Sequence, residues 1–235
     1  MAMLVIKLAG LPIGIESRYE MTAKLCQAYV CEEAPLFTVW ATEAEIAAEK
    51  QAALFAVSDA YAESVCIYRN LCRRLPAYEA FLFHSAVVEC DARAYAFAAP
   101  SGTGKSTHAS LWLRHFGDRA RILNGDKPIF RRDKDGFFAF GTPWCGKEGW
   151  QVNASAPLEA ICFLVRGQTN RIERLEKSEA VSLLLPQILM PERATDVTRL
   201  FPLLNALVEK VPCYQLQCNV SEEAVEVAYA GMRPV

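Results

Sequence analysis

Residues 99–106 read Ala-Pro-Ser-Gly-Thr-Gly-Lys-Ser. The spacing is G-x-x-x-x-G-K-[ST], with Ala99 in the place of the first glycine. Each residue type has a physical task. Gly102 and Gly104 permit the dihedrals of a tight loop and keep Cβ atoms out of an anion's path. Backbone N–H groups can then turn inward, and a following helix adds free N–H groups and a positive dipole end. The expected ligand is the polyphosphate of ATP or another nucleoside triphosphate, held by Ser101, Gly102, Thr103, Gly104, Lys105, Ser106 and Thr107. Lys105 would reach the β- and γ-phosphates, and the Ser106 hydroxyl would ligate Mg²⁺.

A metal carboxylate is expected at the end of a neighbouring strand. Leu123-Asn124-Gly125-Asp126 supplies Asp126 there, 20 residues after Ser106 (126 − 106). The alternative for Asp126 is a surface acid in a Gly-Asp turn. Lys127 either touches a phosphate or is solvated. Lys147 lies in a Gly-containing loop between Trp144 and Trp150, which either closes on substrate or is an ordinary surface loop. Arg166 and Arg171 bracket a strand turn and are candidates to reach a triphosphate. His108, one turn beyond Lys105, is expected to be structural.

The surrounding pattern supplies the elements that must hold these groups. Ala94–Ala98 reads as the strand delivering the loop and Lys105–Phe116 as the helix leaving it. Phe81–His84, Ala86–Cys90, Arg121–Leu123, Leu158–Val165, Arg171–Leu175 and Cys213–Cys218 read as further strands. Asp133–Gly136 marks a hairpin between Ile129–Arg132 and Phe137–Phe140. Helices are expected over Ser178–Leu189, Ala194–Val211 and Ser221–Met232. In the first third, Met3–Leu8 reads as a strand ended by Gly10-Leu11-Pro12, and Phe37–Ala41 as another. The spacing of Met21, Leu25 and Tyr29 predicts a short helix. Thr42–Glu45 has capping-box spacing before an Ala-rich helix, and a second helix runs over Asp59–Arg74 until Pro76. Hairpins on both sides of the Gly-rich loop predict a mixed α/β sheet rather than a purely parallel one.

Composition narrows the function classes. The chain has 235 residues, 52% hydrophobic and 22% charged, enough for a full core without disulfides. Its 25 basic and 27 acidic residues leave a net charge of −2, which argues against a nucleic-acid partner. No apolar run reaches the roughly 18 residues of a membrane span, and Met1–Gly14 lacks signal-peptide order. No membrane association is expected, and the expected location is the cytoplasm. Nine cysteines without C-x-x-C spacing, beside three histidines, predict buried thiols in a reducing compartment rather than a zinc site.

Ser101–Ser106, with Leu123–Asp126 after one helix, resembles the catalytic domain of HPr kinase/phosphorylase and the related nucleotide-binding region of phosphoenolpyruvate carboxykinases. The similarity covers Phe81–Asp126 well and Phe137–Gly167 loosely. The run Gly141–Lys147 resembles a segment of HPr-kinase-like proteins, some of which phosphorylate peptides made by modification pathways. The resemblance implies a phosphoenolpyruvate carboxykinase-like P-loop kinase core over 78–235, behind a small α+β region of unknown role over 1–77. It implies Lys105, Asp126 and His84 as catalytic residues, because HPr kinases have a histidine near the transferred phosphate. The expected activity is Mg²⁺-dependent transfer of the γ-phosphate to a hydroxyl of a protein, peptide or small metabolite. Homo-oligomerisation is left open. The family's Asp-Asp pair is Gly125-Asp126 here. Either His84 then supplies the base, or the chain is a weakened nucleotide sensor or partner-binding module.

Overall fold

At Ala9 and Gly10 the backbone enters positive φ, at 49° and 74°, which gives the twist a two-residue hairpin turn needs. The computed structural model, which describes residues 2–233, accordingly pairs β1 (Ala2–Leu8) antiparallel with β2 (Leu11–Ser17). This corrects the expectation that Gly10-Leu11-Pro12 only ends a strand. Pro12 lies opposite Lys7, and its carbonyl accepts from Leu36 N–H. After α1 (Glu20–Leu25), a 3₁₀ turn at Gln27–Tyr29 replaces the second half of the expected helix. The short β3 (Phe37–Val39) then adds parallel to β2.

Both following helices start as their caps dictate. In α2 (Glu43–Ala52), Thr42 and Glu45 exchange both capping-box hydrogen bonds. In α3 (Asp59–Arg74), Ser58 accepts from Tyr61 N–H. These helices cover the three-stranded sheet through Ile46, Ile67 and Leu71. Their core continues into later chain, taking in Ala80, Ile129 and Trp144.

The larger sheet is mixed, as the hairpins predict. Its strands are β4 (Ala80–Leu82), β5 (Ala86–Cys90), β6 (Arg93–Ala98), β7 (Ala120–Asn124), β8 (Ile129–Arg132), β9 (Phe137–Phe140), β10 (Ser155–Arg166), β11 (Arg171–Arg174) and β12 (Cys213–Cys218). The main path runs β4-β8-β9-β10-β6-β5-β7, and β12 joins β10 to β11. β10 is the spine. Its first residues pair antiparallel with β9, and its later ones lie parallel to β6 on one side and β12 on the other. One face packs on α5 (Lys177–Leu184) and α6 (Ala194–Lys210), through Leu184, Leu200 and Leu207. The other packs on α4 (Lys105–Phe116) and α7 (Glu222–Met232), through Trp112, Val225 and Ala228.

Two boundaries differ from the pattern-based expectation. The expected helix over 178–189 leaves α geometry at Leu184 for a 3₁₀ turn, because Pro186 has no N–H to continue the ladder. β4 ends at Leu82, so His84 lies beyond the strand. Phe83 makes an isolated bridge to Ile188, and His84 N–H donates to Gln187 O at 2.8 Å.

Candidate functional site

The parallel strands β6, β10 and β12 end on one side of the sheet, and the Gly-rich loop leaves β6 there. Gly102 and Gly104 have φ of +77° and +124°, as the loop requires. A Cβ built on either would meet nothing within 4 Å, so the space above them is open. The loop hands over to α4 at Gly104, which caps the helix without a side chain, and the first turn carries no acid. Its free N–H groups and positive end are therefore left for an anion.

Lys105 is 9% exposed, and its Nζ donates to Ala99 O at 2.8 Å, across the base of the loop. Burial lowers its pKa, the Asp126 carboxylate pulls it back up, and Lys127 lowers it further. The loop lysine and Asp126 are thus electrostatic neighbours although 21 residues separate them (126 − 105). Ser106 is half-buried, while Ser101 and Thr107 are exposed. Arg166, at the end of β10, donates its Nε to Thr103 O at 3.1 Å and its Nη2 to Gly102 O. It fixes the loop through two carbonyls. Arg171 pairs with Glu173 instead.

Asp126 sits at a carefully built corner. Asn124, fully buried at the end of β7, accepts from the N–H groups of Asp126 (2.9 Å) and Lys127 (2.7 Å) through Oδ1. Its Nδ2 donates to Thr142 O and Trp144 O at 3.0 and 3.3 Å. Tyr68 of α3 donates to Lys127 O at 2.7 Å, and Thr142 Oγ1 approaches the same carbonyl at 2.8 Å. Trp144 stacks on Tyr68 at 4.2 Å and donates to Ser64 Oγ. Asn124, Tyr68 and Thr142 were not singled out from sequence. A buried amide closing an apolar strand beside Gly-Asp was the only signal, and it points to Asn124 alone.

Asp126 Oδ1 lies 3.0 Å from His84 Nε2, and Oδ2 pairs with Lys127 Nζ. Burial opposes ionisation of Asp126, but the His84 hydrogen bond and the Lys127 charge outweigh it and hold the carboxyl well below the usual range. An ionised carboxylate only accepts, so in this pair His84 donates from Nε2 and its Nδ1 points away from Asp126 Oδ1. The structure thus brings His84, Asp126 and Lys127 together. It leaves Lys147 exposed, one residue after Gly146, where a Cβ would lie 3.0 Å from Asp126 Cβ.

Gly125 has a local reason. Its N–H donates to Trp150 O at 2.9 Å, and a Cβ there would lie 3.0 Å from Cys145 O. The Trp144–Trp150 segment occupies the room a second carboxylate would need. No group of three or more His, Cys, Asp or Glu is placed to hold a metal among the described residues. Ser106 offers a hydroxyl and Asp126 a carboxylate, oxygen donors of the kind Mg²⁺ takes.

Residues 57–227 match the family model described as SynChlorMet cassette protein ScmC. A comparison with curated proteins finds no match. Among solved structures, the chain is similar to the Hpr(Ser) kinase/phosphatase from Coxiella burnetii, at 7% identity and a TM-score of 0.38, covering 64% of this chain and 95% of that one. No helix among the described residues is long and apolar enough to cross a membrane.

Proposed function

The chain belongs to the SynChlorMet cassette protein ScmC family, and from that premise we propose that it is an ATP-dependent, Mg²⁺-requiring phosphotransferase acting on a hydroxyl group. The acceptor is a serine of a protein or peptide, or a small metabolite. The observation that carries this reading is the open, uncapped Gly102–Lys105 loop, whose Lys105 is within reach of the charge of Asp126, itself paired with His84. Lys105 and the loop N–H groups hold the triphosphate, while Ser106 and Asp126 hold the metal. Bound Mg²⁺ would supply charge neutralisation on the phosphates. Asp126 is too acidic to be a good general base and instead orients His84, whose Nδ1 takes the acceptor's proton. Lys127 keeps Asp126 ionised. Residues 1–77 brace this corner through Ser64 and Tyr68.

The test is transfer of label from γ-labelled ATP to material from a cell lysate, with Lys105→Ala as control. Losing a charged hydrogen-bond donor costs about 1.5–3 kcal/mol, or roughly ten- to a hundredfold in nucleotide affinity. Unchanged affinity and transfer in Lys105→Ala would refute the reading. A second reading is favoured by the tight packing over Gly125, which leaves a single carboxylate. In it the chain is a nucleotide sensor or partner-binding module. The same assay separates the two, since a sensor binds nucleotide in a Lys105-dependent way and transfers no label.

A further inference from the structure

A cavity lies away from the phosphate loop, where β3, the start of α2 and the end of α3 face the start of α6. Its volume is about 250 Å³. Sites that enclose a whole small ligand run to about 300–1,000 Å³, so this one suits a single side chain. Both parts of the molecule wall it, with Trp40 and Asn70 on one side and Glu192 and Asp196 on the other.

Asp196 is the incomplete group. It is 6% exposed and sits in the first turn of α6, yet its carboxylate accepts no hydrogen bond among the described residues. The one cation within 4 Å, Arg199 Nη1, stands 3.6 Å off. A buried carboxylate without donors is costly, and an N–H-bearing cation in the cavity would relieve it. Trp40, 50% exposed, adds an indole, the aromatic surface that attracts cations best. The other charges of the wall are engaged. Glu45 completes the Thr42 capping box and accepts from Asn70 at 2.8 Å. Arg73 pairs with Glu192 at 2.7 Å, and Arg74 lies over the Phe37 ring and donates to Thr38 O. Arg193 is exposed and can turn to solvent.

The cavity is also near the reacting corner. Tyr68, which donates to Lys127 O, and Arg73 lie five residues apart on α3 (73 − 68), about 7.5 Å along its axis. Gln187, whose carbonyl takes His84 N–H, precedes Glu192 by five residues (192 − 187), at most about 18 Å. We propose that the cavity takes a lysine or arginine side chain of the phosphate acceptor, which makes that acceptor a basic peptide segment. The proposal rests on the phosphotransfer reading. It gives residues 1–77 a task, since they supply one wall of the acceptor site.

The experiment has two arms. In the first, equilibrium binding of N-acetyl-arginine amide and N-acetyl-lysine amide to the full chain is compared with that of uncharged N-acetyl-citrulline amide. The tighter cation is expected to bind at least about tenfold more strongly than citrulline amide, as a charged hydrogen bond requires. Asp196→Asn should bring that ratio to about one, and Trp40→Ala should weaken the cation about two- to fivefold. Unchanged affinity for ATP with Mg²⁺ shows that each variant is folded. In the second arm, transfer of label from γ-labelled ATP to lysate material should fall at least about tenfold in Asp196→Asn. Equal binding of cation and citrulline amide by the wild type would overturn the proposal, as would a preference that survives in Asp196→Asn. Undiminished transfer by Asp196→Asn would overturn the cavity's role toward the acceptor. Absence of transfer by the wild type, with the cation preference intact, would overturn the phosphotransfer reading and leave only a site for a basic side chain.

Discussion

Asn124 carries more of the site than any single charged group does. It is buried, it holds the N–H groups of Asp126 and Lys127, and it ties them to the Thr142–Trp144 segment. Asn124→Ala should strand the N–H groups of Asp126 and Lys127 and the carbonyl of Thr142, and cost about 2–4 kcal/mol in urea unfolding. Asn124→Asp keeps the Oδ1 acceptor but sets an anionic oxygen against the carbonyls of Thr142 and Trp144, and should recover none of that loss. Asp126 yields a pH signature. Its folded pKa is depressed, so its contribution to stability is complete above the unfolded value near 4 and is lost as pH falls below it. The stability difference between wild type and Asp126→Asn should therefore be flat from about pH 5 to 8 and shrink below about pH 4. The individual residues were unevenly legible. Lys105 and Ser106 stand in a fixed spacing whose chemistry has few alternatives, and Asp126 follows an apolar strand. Tyr68 and Thr142 reach Lys127 O from positions 59 and 15 residues away, and no local pattern encodes that meeting.

The elements were legible where a local signal sets them. Capping at Thr42 and Ser221 places two helix starts, and the Asp133 turn places β8 against β9. They were misread where tertiary pairing decides. β2 contains Gly14 and Pro12, poor strand formers, and exists because both its neighbours pair with it. His84 sits in an apolar run that reads as strand, yet its N–H is taken by the turn after α5. The loop's helix, α4, is anchored by Trp112, fully buried among Tyr95, Phe97, Phe116 and Tyr229. Its His108 is pushed down to about 4 by burial. The unfolded chain binds that proton near pH 6.5 and the folded one does not, so stability falls as pH drops from about 6.5 to 4. Urea titrations of wild type against His108→Gln should show the wild type losing about 3 kcal/mol more than the variant across that window. Parallel pH profiles would show that His108 does not carry this proton linkage.

At the scale of the molecule, two sheets serve one corner. The parallel ends of β6, β10 and β12 present the loop, and α3 of the N-terminal region holds the Asp126–Lys127 turn through Tyr68 and the Tyr68–Trp144 stack. The mixed sheet was legible from its hairpins; the branching of β10 between β9, β6 and β12 was not, because one long strand serving three partners leaves no mark in its own sequence. Seven of the nine cysteines are buried. The central claim concerns the loop itself, where Lys105 Nζ now rests on Ala99 O. The most direct measurement is a crystal structure of the chain with Mg²⁺ and a non-hydrolysable ATP analogue. The expected result is Lys105 Nζ swung off Ala99 O onto the β- and γ-phosphates, with Asp126 facing the ion. Analogue bound elsewhere, with Lys105 still on Ala99 O, would contradict the account.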